Sequence, residues 1–407
     1  MTGARTFPEI DRALLADRLR LACSWLTDRA QIREQQPADI ANSHGFRYAD
    51  WRGSMRGEYS AAKAQWDVFC PIWHTGQAVK ALVLAHRVLG DAGLLEAAKA
   101  GGAFILRQQV HDPADPDHGF IAAFEDYGDK ANTSAILECL DGLFYLADET
   151  RDQTWEEAAI RALRWVLRKA YLPGEGLFRD LYDPAARAFA PWRPRHSNDR
   201  PDVPGRPLLD DGVFLTGARR AGDKGLETPF WETARRLLVE QDPPGNWIHF
   251  APCNAITGNI HPRHAFWWGM PLIRAWQESG DATFLECARQ SAQWYVRAQR
   301  HDGGLIRNTY LDFNTDSFGH ETSGIACAAI LWQRLKAAAG DDAFDGPTRL
   351  ALDFCMRVQF THPADENLRG AILSKVLPPD GSDRSPYHLR DLGTTFFVQA
   401  ASLWLGA

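Results

Sequence analysis

Titratable side chains stand beside strongly apolar stretches at several separated points of this sequence. The clearest case is "FGHETSG" at 318–324, where His320 and Glu321 directly precede the apolar run "IACAAILWQRL". A carboxyl group held away from water can act as a general acid or a general base, and histidine titrates near neutral pH. Glu321 is therefore the first candidate for acid/base catalysis.

Two adjacent aspartates, Asp210 and Asp211, also precede an apolar stretch and are the next candidate carboxylates. A pair of carboxyl groups on opposite sides of a glycosidic bond can hydrolyse it, one as acid and the other as base. His264 and His388 are the histidines that we expect to share proton transfer. Taken singly, each aspartate could instead cap a helix, and each histidine could be a core residue.

Aromatic and polar residues accompany these groups. Trp73, Trp267 and Trp268 could form walls that pack against the C–H faces of a sugar, and the protein contains 15 tryptophans. Residues of the same stretches that could bind hydroxyl or carboxylate groups are His74, Gln77, Asn132, Arg263, His320, Arg390 and Asp391. This combination of aromatic and polar residues predicts a saccharide substrate.

Apolar residues recur at intervals of three and four along most of the chain, which indicates an all-α protein of about twelve helices. The odd-numbered helices are predicted near 8–30, 93–110, 152–170, 227–241, 281–300 and 344–361. The even-numbered helices are predicted near 72–90, 131–149, 208–222, 262–280, 317–338 and 389–405. Connections from an even to an odd helix are short Gly/Asp turns, whereas the return connections are long.

A unit of an apolar helix, a tight turn and a more charged helix is repeated along the sequence, as in "LIRAWQESGDATFLECARQSAQWYVRAQ". Repetition of this kind predicts stacked helical hairpins that bury their apolar faces against one another. Six hairpins closed into a ring would place the even helices inside and all the long loops at one end. We therefore expect one domain over residues 1–407, with every candidate residue at the loop end of the ring.

This arrangement resembles the (α/α)6 toroid of the six-hairpin glycosidase superfamily. "HETSGIACAAILWQRL" and the C-terminal "RGAILSKVLPPDGSDRSPYHLRDLGTTFFVQAASLW" are similar to segments of unsaturated glucuronyl and rhamnogalacturonyl hydrolases, and the "TGQA" around Gln77 resembles their Arg-Gly-Gln-Ala. The resemblance implies a glycoside hydrolase acting on oligosaccharides that can carry uronate groups. Asn132 stands where those hydrolases have an essential Asp, and an amide cannot transfer a proton.

A second resemblance favours a different reaction. "GNIHPRHAFWWGMPLIRAW" is similar to the Pro-Gly-His helix of N-acylglucosamine and cellobiose 2-epimerases. Those enzymes place one catalytic histidine on this helix and another on the last, and His264 and His388 occupy the two elements here. Trp267 departs from the pattern, because the epimerases have Glu at that position.

Two further functions stay open at the level of sequence. A polysaccharide lyase, which acts by β-elimination, needs arginine, histidine and tyrosine together, and the chain offers Arg56, Tyr59, Arg263, Tyr387, His388 and Arg390. The non-enzymatic alternative is a sugar-binding scaffold. In that case the loss of Glu321 or His264 would change affinity alone.

Composition excludes several classes of partner. The formal net charge of −7 without a Lys/Arg block argues against nucleic acid, and no stretch approaches the roughly 18 uncharged apolar residues of a membrane span. Seven scattered cysteines predict reduced thiols and a cytoplasmic location. We expect a monomer or homodimer without cofactor. No metal is expected, because His261 and His264 lack a third ligand.

Overall fold

A computed structural model describes residues 6–125, 127–190, 203–307, 309–315, 319–374 and 388–407. Twelve α-helices lie in these ranges, as the apolar periodicity predicts. They are α1 (Arg12–Trp25), α2 (Pro71–Leu89), α3 (Ala92–Arg107), α4 (Thr133–Thr150), α5 (Gln153–Lys169), α6 (Val213–Ala221), α7 (Glu227–Glu240), α8 (Met270–Ser279), α9 (Ala282–Ala298), α10 (Thr322–Ala339), α11 (Asp345–Arg357) and α12 (Leu392–Leu405).

The tight turn of each hairpin follows from two neighbouring residues. Gly280 adopts a left-handed conformation that ends α8, and the side chain of the next residue, Asp281, accepts a hydrogen bond from Thr283 N at the start of α9. Gly90 and Asp91 do the same between α2 and α3. Glycine tolerates positive φ and aspartate is a strong N-cap, so the dipeptide reverses the chain by local chemistry alone.

The helices form two concentric layers. The inner helices are α2, α4, α6, α8, α10 and α12. They follow one another around a ring that closes between α12 and α2, and the Asp210–Gly212 turn before α6 makes the contact with α8. Each inner helix also packs on its hairpin partner outside, including α1 against α12. The predicted all-α toroid of six hairpins is thus confirmed.

Small residues let two inner helices approach closely. A Cβ atom at Gly76 of α2 would lie 2.4 Å from Cys139 Cα, and one at Gly142 of α4 would lie 2.2 Å from the Gly76 carbonyl oxygen. No side chain fits at such distances, and glycine is required at both positions.

Short β-strands join the long loops at the end of the ring where the inner helices begin, which we call the mouth. The strands are β1 (Ile40–Ala41), β2 (Gly57–Ser60), β3 (Gln65–Val68), β4 (Ala131–Asn132), β5 (Tyr171–Leu172), β6 (Leu177–Phe178), β7 (Leu181–Asp183), β8 (Ala188–Phe189), β9 (Asn259–Ile260), β10 (Thr309–Tyr310) and β11 (His388–Arg390). One sheet has the order β1-β3-β2-β11, with β1 parallel to β3 and the other pairs antiparallel.

Three strand pairings tie different loops together at the mouth. β2 pairs with β11, β4 with β7, and β9 with β10, all antiparallel. Strands of two to four residues are too short to show a sequence alternation, which is why the sequence predicts almost none.

The third inner helix differs from its prediction. It was expected over 208–222, but α6 begins at Val213 because Asp210, Asp211 and Gly212 all have positive φ, at 36°, 59° and 77°. α6 has 9 residues and α4 has 18, so at roughly 1.5 Å per residue α6 is about half as long as α4. The Asp210–Gly212 turn therefore lies well below the level at which the longer inner helices begin.

Candidate active site

The inner helices begin at the mouth without side-chain caps. Neither Glu321 before α10, Asn132 before α4 nor Asp391 before α12 accepts a side-chain hydrogen bond from a backbone N–H in the first turn of its helix. Four outer helices, by contrast, begin at aspartate caps, among them Asp91 and Asp281. The polar residues at these inner-helix entrances therefore do not serve as caps.

Two buried carboxyl groups, those of Glu138 and Asp210, lie at the base of the mouth and are 5% and 1% exposed. Burial raises the pKa of Glu138 well above its ordinary value, and the neighbouring Asp210 carboxyl adds to the increase. Burial likewise raises the pKa of Asp210, although the Arg206 guanidinium opposes the shift. Protons are therefore retained here at pH values where exposed carboxyl groups are ionised.

The two carboxyl groups differ in their hydrogen bonding. Trp267 Nε1 donates to Glu138 Oε1 at 3.0 Å. Neither oxygen of Asp210 has a hydrogen-bond partner among the described residues. Asp210 also has a left-handed backbone conformation, which is uncommon outside glycine and is concentrated at functional sites.

Glu321 has the opposite character. Its carboxylate accepts hydrogen bonds from Arg307 Nη1 at 2.7 Å and from Ser323 Oγ at 2.6 Å, and Arg263 Nη1 lies 3.6 Å away. Burial acts to raise the pKa of Glu321, but Arg307 and Arg263 outweigh it and the net shift is downward. A lowered pKa favours the ionised carboxylate, which suits a general base rather than a general acid.

Arg263 connects the two groups of carboxyl residues. Its guanidinium lies over the rings of Trp73 and Trp267, at 5.4 and 5.7 Å from their centroids, and its Nη1 donates to Ser323 Oγ at 3.0 Å. Trp267 in turn reaches Glu138. A continuous set of contacts thus runs across the mouth from α4 to α10.

A histidine–aspartate pair lies on the same side as Trp73. His74 Nδ1 is 2.5 Å from Asp391 Oδ1, and Asp391 Oδ2 accepts a hydrogen bond from Gly57 N. The His74 ring contacts that of Trp73 with centroids 4.8 Å apart, and its Nε2 has no hydrogen-bond partner among the described residues. Burial lowers the pKa of His74 even though Asp391 opposes the shift. A neutral histidine with one free ring nitrogen is suited to accept a proton.

Arg390, the neighbour of Asp391, is held in place from two sides. Its Nε donates to Glu58 at 2.8 Å, and its guanidinium lies 4.0 Å from the centroid of Phe69. Its charge also contributes to the lowered pKa of Glu321. Arg263, Arg307 and Arg390 therefore give this wall of the mouth a positive character.

Asn132 belongs to a third part of the mouth. Its amide nitrogen is 3.5 Å from Asp180 Oδ2, and the same carboxylate pairs with Arg206 at 3.2 Å. Asp180 Oδ1 accepts a hydrogen bond from Ser134 N in the first turn of α4. Asn132 is thus held beside a carboxylate supplied by a different loop.

The structure corrects the role expected for His264. Its ring stacks on Tyr295 with centroids 4.5 Å apart and contacts Trp294, both on the outer helix α9. Burial lowers its pKa to about 3, so it is a neutral core residue. His261, three residues earlier, contacts Trp267 at 4.9 Å between centroids and is the histidine of this segment that lies at the mouth.

Two expected binding residues, His320 and Trp268, also lie away from the mouth. His320 contacts Phe354 of the outer helix α11 and lies 3.5 Å from Asp302. Trp268 donates through Nε1 to the Pro207 carbonyl and packs on Trp247. The backbone of His388 pairs with Ser60 in the β2–β11 ladder, and its side chain lies outside the described part of the structure.

Gln77 joins inner helices rather than binding substrate. Its Nε2 donates to the Glu138 carbonyl of α4 at 2.6 Å, and its Oε1 accepts from Gln399 of α12 at 3.1 Å. Both polar ends of the side chain are therefore used within the ring.

Two members of the set expected for a lyase, Tyr59 and Arg56, are paired with carboxylates of neighbouring loops. Tyr59 donates its hydroxyl to Asp365 at 2.5 Å, and Arg56 pairs with Asp39 at 3.0 Å. Tyr387 lies outside the described residues. Also within the described ranges, no three His, Cys, Asp or Glu side chains are grouped as a metal site would require.

Asp211 is a structural residue and not a catalytic one, which corrects its expected role. Its carboxylate accepts from Lys80 at 2.7 Å and from both terminal nitrogens of Arg334, on the far side of the turn from Asp210. Arg334 and Lys80 overcome the effect of burial and lower its pKa far below the ordinary range.

Asp211→Asn is therefore expected to reduce the free energy of unfolding by about 3 kcal/mol at pH 7, because it leaves Lys80 and Arg334 short of a buried counter-charge. The stabilisation comes from a depressed pKa, so the difference from the parent should shrink as pH falls below the ordinary carboxyl range. Urea unfolding at several pH values measures both effects. Asp17→Asn, in an exposed pair with Arg20, is the control and should cost less than about 1 kcal/mol. Equal losses of unfolding free energy in Asp211→Asn and Asp17→Asn would contradict the structural role assigned to Asp211.

Sequence reasoning missed five residues of the site: Glu58, Glu138, Asp180, Arg206 and Arg307. Glu138 left a signal, since it is the lone charge in the apolar run "TSAILECL" at 133–140. The others come from long loops, where no periodicity indicates which side chain points inward.

With this geometry in place, the class of protein is defined by its fold, an (α/α)6 toroid with a polar site at the loop end. No protein-family model matches the sequence, and no curated protein matches it significantly. Solved structures do match over nearly the whole chain. An unsaturated glucuronyl hydrolase from Bacillus sp. GL1, described as responsible for the degradation of glycosaminoglycan, has a TM-score of 0.67 at 14% identity and covers 95% of both chains.

Sugar isomerases have the same fold. A cellobiose 2-epimerase from Spirochaeta thermophila matches with a TM-score of 0.64 at 13% identity, covering 98% of this chain and 99% of its own. A D-mannose isomerase matches with a TM-score of 0.64 at 11% identity and 97% coverage of each chain. These matches confirm both resemblances at the level of fold. Because hydrolases and isomerases share it, the reaction must be argued from the site.

Proposed function

We propose that this protein is a carbohydrate-active enzyme that hydrolyses a glycosidic bond, with a buried protonated carboxyl group as general acid. The observation that carries the proposal is the pair of Glu138 and Asp210, whose pKa values are both raised by burial. A general acid must hold its proton near neutral pH, and burial of a carboxyl group beside another is the ordinary way to achieve this.

Asp210 is the better candidate of the two for the proton donor. Glu138 accepts a hydrogen bond from Trp267, which favours its ionised form, whereas Asp210 has both oxygens free among the described residues. The proton of the general acid is therefore assigned to Asp210, and Glu138 is the carboxyl group that would activate water.

The substrate class is inferred from the opposite wall. Arg263, Arg307 and Arg390 all act on Glu321, so three cations share one carboxylate there, with Arg390 also paired to Glu58. Arginine binds carboxylates through parallel hydrogen bonds. Trp73 and Trp267 carry the Arg263 guanidinium on their rings and form an aromatic wall beside it. We infer an oligosaccharide that carries a uronate group.

Epimerisation is the second candidate, and the His74–Asp391 pair favours it. A neutral imidazole oriented by a carboxylate can remove a proton from carbon. The two-histidine scheme that the sequence suggests requires His264, which packs against α9 instead. Epimerisation would therefore depend on His74 and a different partner.

One experiment separates the candidates. The protein is incubated in deuterated water with oligosaccharides that do or do not end in a 4,5-unsaturated uronate, and products are followed by NMR and ultraviolet absorbance. We expect glycosidic cleavage and loss of the unsaturated-uronate absorbance. Deuterium on a sugar carbon without cleavage would indicate epimerisation, and new unsaturation would indicate a lyase. Binding without any chemical change would favour the scaffold.

The pH dependence of hydrolysis is a further prediction. The acid must be protonated, so kcat/KM should fall as pH rises through the raised pKa of the Glu138–Asp210 pair. We expect this falling limb above the range of ordinary carboxyl groups, because burial raises both pKa values. Initial rates from pH 4 to 9 measure it. Activity that falls with pH already in the range of exposed carboxyl groups would contradict the assignment of the acid.

A further inference from the structure

A cavity of about 610 Å³ lies at the turn end of the ring, opposite the mouth. Residues from all six inner helices line it, from Arg87 of α2 around to Leu403 of α12, and it extends inward as far as Asp211 before α6. Five arginines line it together with three aspartates, and the arginines are Arg87, Arg219, Arg220, Arg274 and Arg334. A volume of this size is typical of small-molecule sites.

Four of these arginines already have carboxylate partners. Arg87 donates to Glu149 at 2.7 Å, and Arg220 contacts Asp148 and Glu156 at 2.9 and 2.8 Å. Arg219 pairs with Glu278, and Arg334 with Asp211. The positive charge of these four residues is therefore balanced within the protein.

Arg274 is different. Its Nη1 donates to the neutral hydroxyl of Thr216 at 2.7 Å. Its Nε lies 3.9 Å from Glu278, a carboxylate that already pairs with Arg219. Burial lowers the pKa of Arg274, and the nearby charge of Arg219 acts in the same direction while Asp211 opposes it. Of the five arginines, Arg274 is thus the one whose charge is least compensated.

The helix C-termini at this end explain why arginines collect here, but not why Arg274 faces an open volume. Six inner helices end around the cavity, and their partial negative charges favour cations. The helix dipole acts only within the last turn, and cationic side chains packed against that turn are enough to compensate it. A charged side chain that lines an unfilled cavity leaves donors available to a ligand.

We propose that this cavity binds a small organic or inorganic dianion of the phosphate class, held by the Arg274 guanidinium. A phosphoryl group supplies the negative charge that the neutral Thr216 hydroxyl does not give Arg274, and the volume also accommodates an attached sugar. The same turn lines the cavity through Asp211 and carries Asp210 at the base of the mouth, and a Cβ at Gly212 would lie 3.1 Å from Arg274 Cδ. A bound anion would therefore lie close to the turn that holds the proposed acid.

Isothermal titration calorimetry of the full chain tests the site independently of any activity. The probes are inorganic phosphate, glucose 6-phosphate and uncharged glucose. We expect one saturable site for both phosphates and none for glucose. Tighter binding of glucose 6-phosphate would identify a sugar phosphate as the ligand, and equal affinities would identify free phosphate. Arg274→Gln should weaken phosphate binding about tenfold or more, since it removes a charged donor.

Two further variants keep the test decisive. Arg357→Gln makes the same charge change on the outer helix α11, where Arg357 pairs with Asp353 at the surface, and should leave phosphate affinity unchanged. Thr216→Val keeps the side-chain shape but removes the hydroxyl that positions the Arg274 guanidinium, and should weaken phosphate binding even if Arg274→Gln folds poorly. The absence of saturable binding to the parent protein would overturn the proposal. So would equal affinities in the Arg274→Gln and Arg357→Gln variants, which would leave the arginines only a structural role.

Discussion

Asp210→Asn is expected to lower the rate of glycosidic cleavage by 10²–10⁴-fold, about the contribution of a general acid, and at the same time to stabilise the fold at alkaline pH. Asparagine has nearly the same shape, but it cannot give a proton to the leaving oxygen. The buried carboxyl has no hydrogen-bond partner among the described residues, so the protein gains little from it when it is neutral and is destabilised when it is charged.

The sign of the stability effect follows from the raised pKa of Asp210. A group with a raised pKa in the folded state stabilises the parent at low pH, and this contribution is lost as pH rises through that pKa. The amide does not titrate. We therefore expect the free energy of unfolding of Asp210→Asn, relative to the parent, to increase from pH 5 to pH 9. The gain should reach about 1 kcal/mol or more at pH 9.

Asp211→Asn is the matched control for this experiment, since it makes the same change one residue along the same turn. Asp211 has a lowered pKa and accepts hydrogen bonds from Lys80 and Arg334, so its loss should destabilise the protein at neutral pH. Opposite stability changes in the two variants are the expected result. If both destabilise the protein equally at pH 9, or if Asp210→Asn retains cleavage activity, Asp210 is not the acid.

The largest expected effect on stability comes from Glu321→Gln. Glu321 is 1% exposed and is the shared partner of Arg307 at 2.7 Å and Arg263 at 3.6 Å. Removing its charge leaves the Arg307 and Arg263 guanidinium groups without this carboxylate. Arg263 is itself buried, so water cannot replace the lost counter-charge. We expect the free energy of unfolding at pH 7 to fall by about 3–5 kcal/mol, measured by urea denaturation.

A double-mutant cycle distinguishes charge balance from simple loss of packing. Combining Glu321→Gln with Arg307→Gln should restore part of the loss, giving a coupling energy of about 1 kcal/mol or more. Glu366→Gln removes the same group from an exposed contact with Arg369 at 3.9 Å and should cost less than about 1 kcal/mol. A small loss in Glu321→Gln, with no coupling to Arg307, would show that the carboxylate does not organise this wall.

The folding pattern could be predicted because its causes are local. Gly280 followed by Asp281 ends one helix and begins the next through their own backbone preference and side chain. The distribution of apolar residues within each helix shows whether all of its faces or only one face is buried. The one clear departure, α6, also has a local cause, the positive φ values at Asp210 to Gly212.

The mouth was predicted only in outline. Trp73, His74, Arg263, Trp267 and Asp391 are joined there by direct contacts, as convergence of the inner-helix entrances implies. Their individual roles could not be predicted, because the segments before the helices are irregular and have no periodicity that shows where each side chain points. His261 lies at the mouth while His264 packs against α9.

The sequence by itself thus determined the helices, their turns, their pairing into hairpins and the end of the ring at which polar groups gather, since each depends on neighbours in the chain. The tertiary structure alone decided the protonation of the carboxyl groups. Arg307 and Arg263 come to Glu321 from separate loops and lower its pKa, whereas packing buries Asp210 with no hydrogen-bond donor on its oxygens among the described residues and raises its pKa. Burial and charge pairing depend on residues distant in the chain, and these set a pKa.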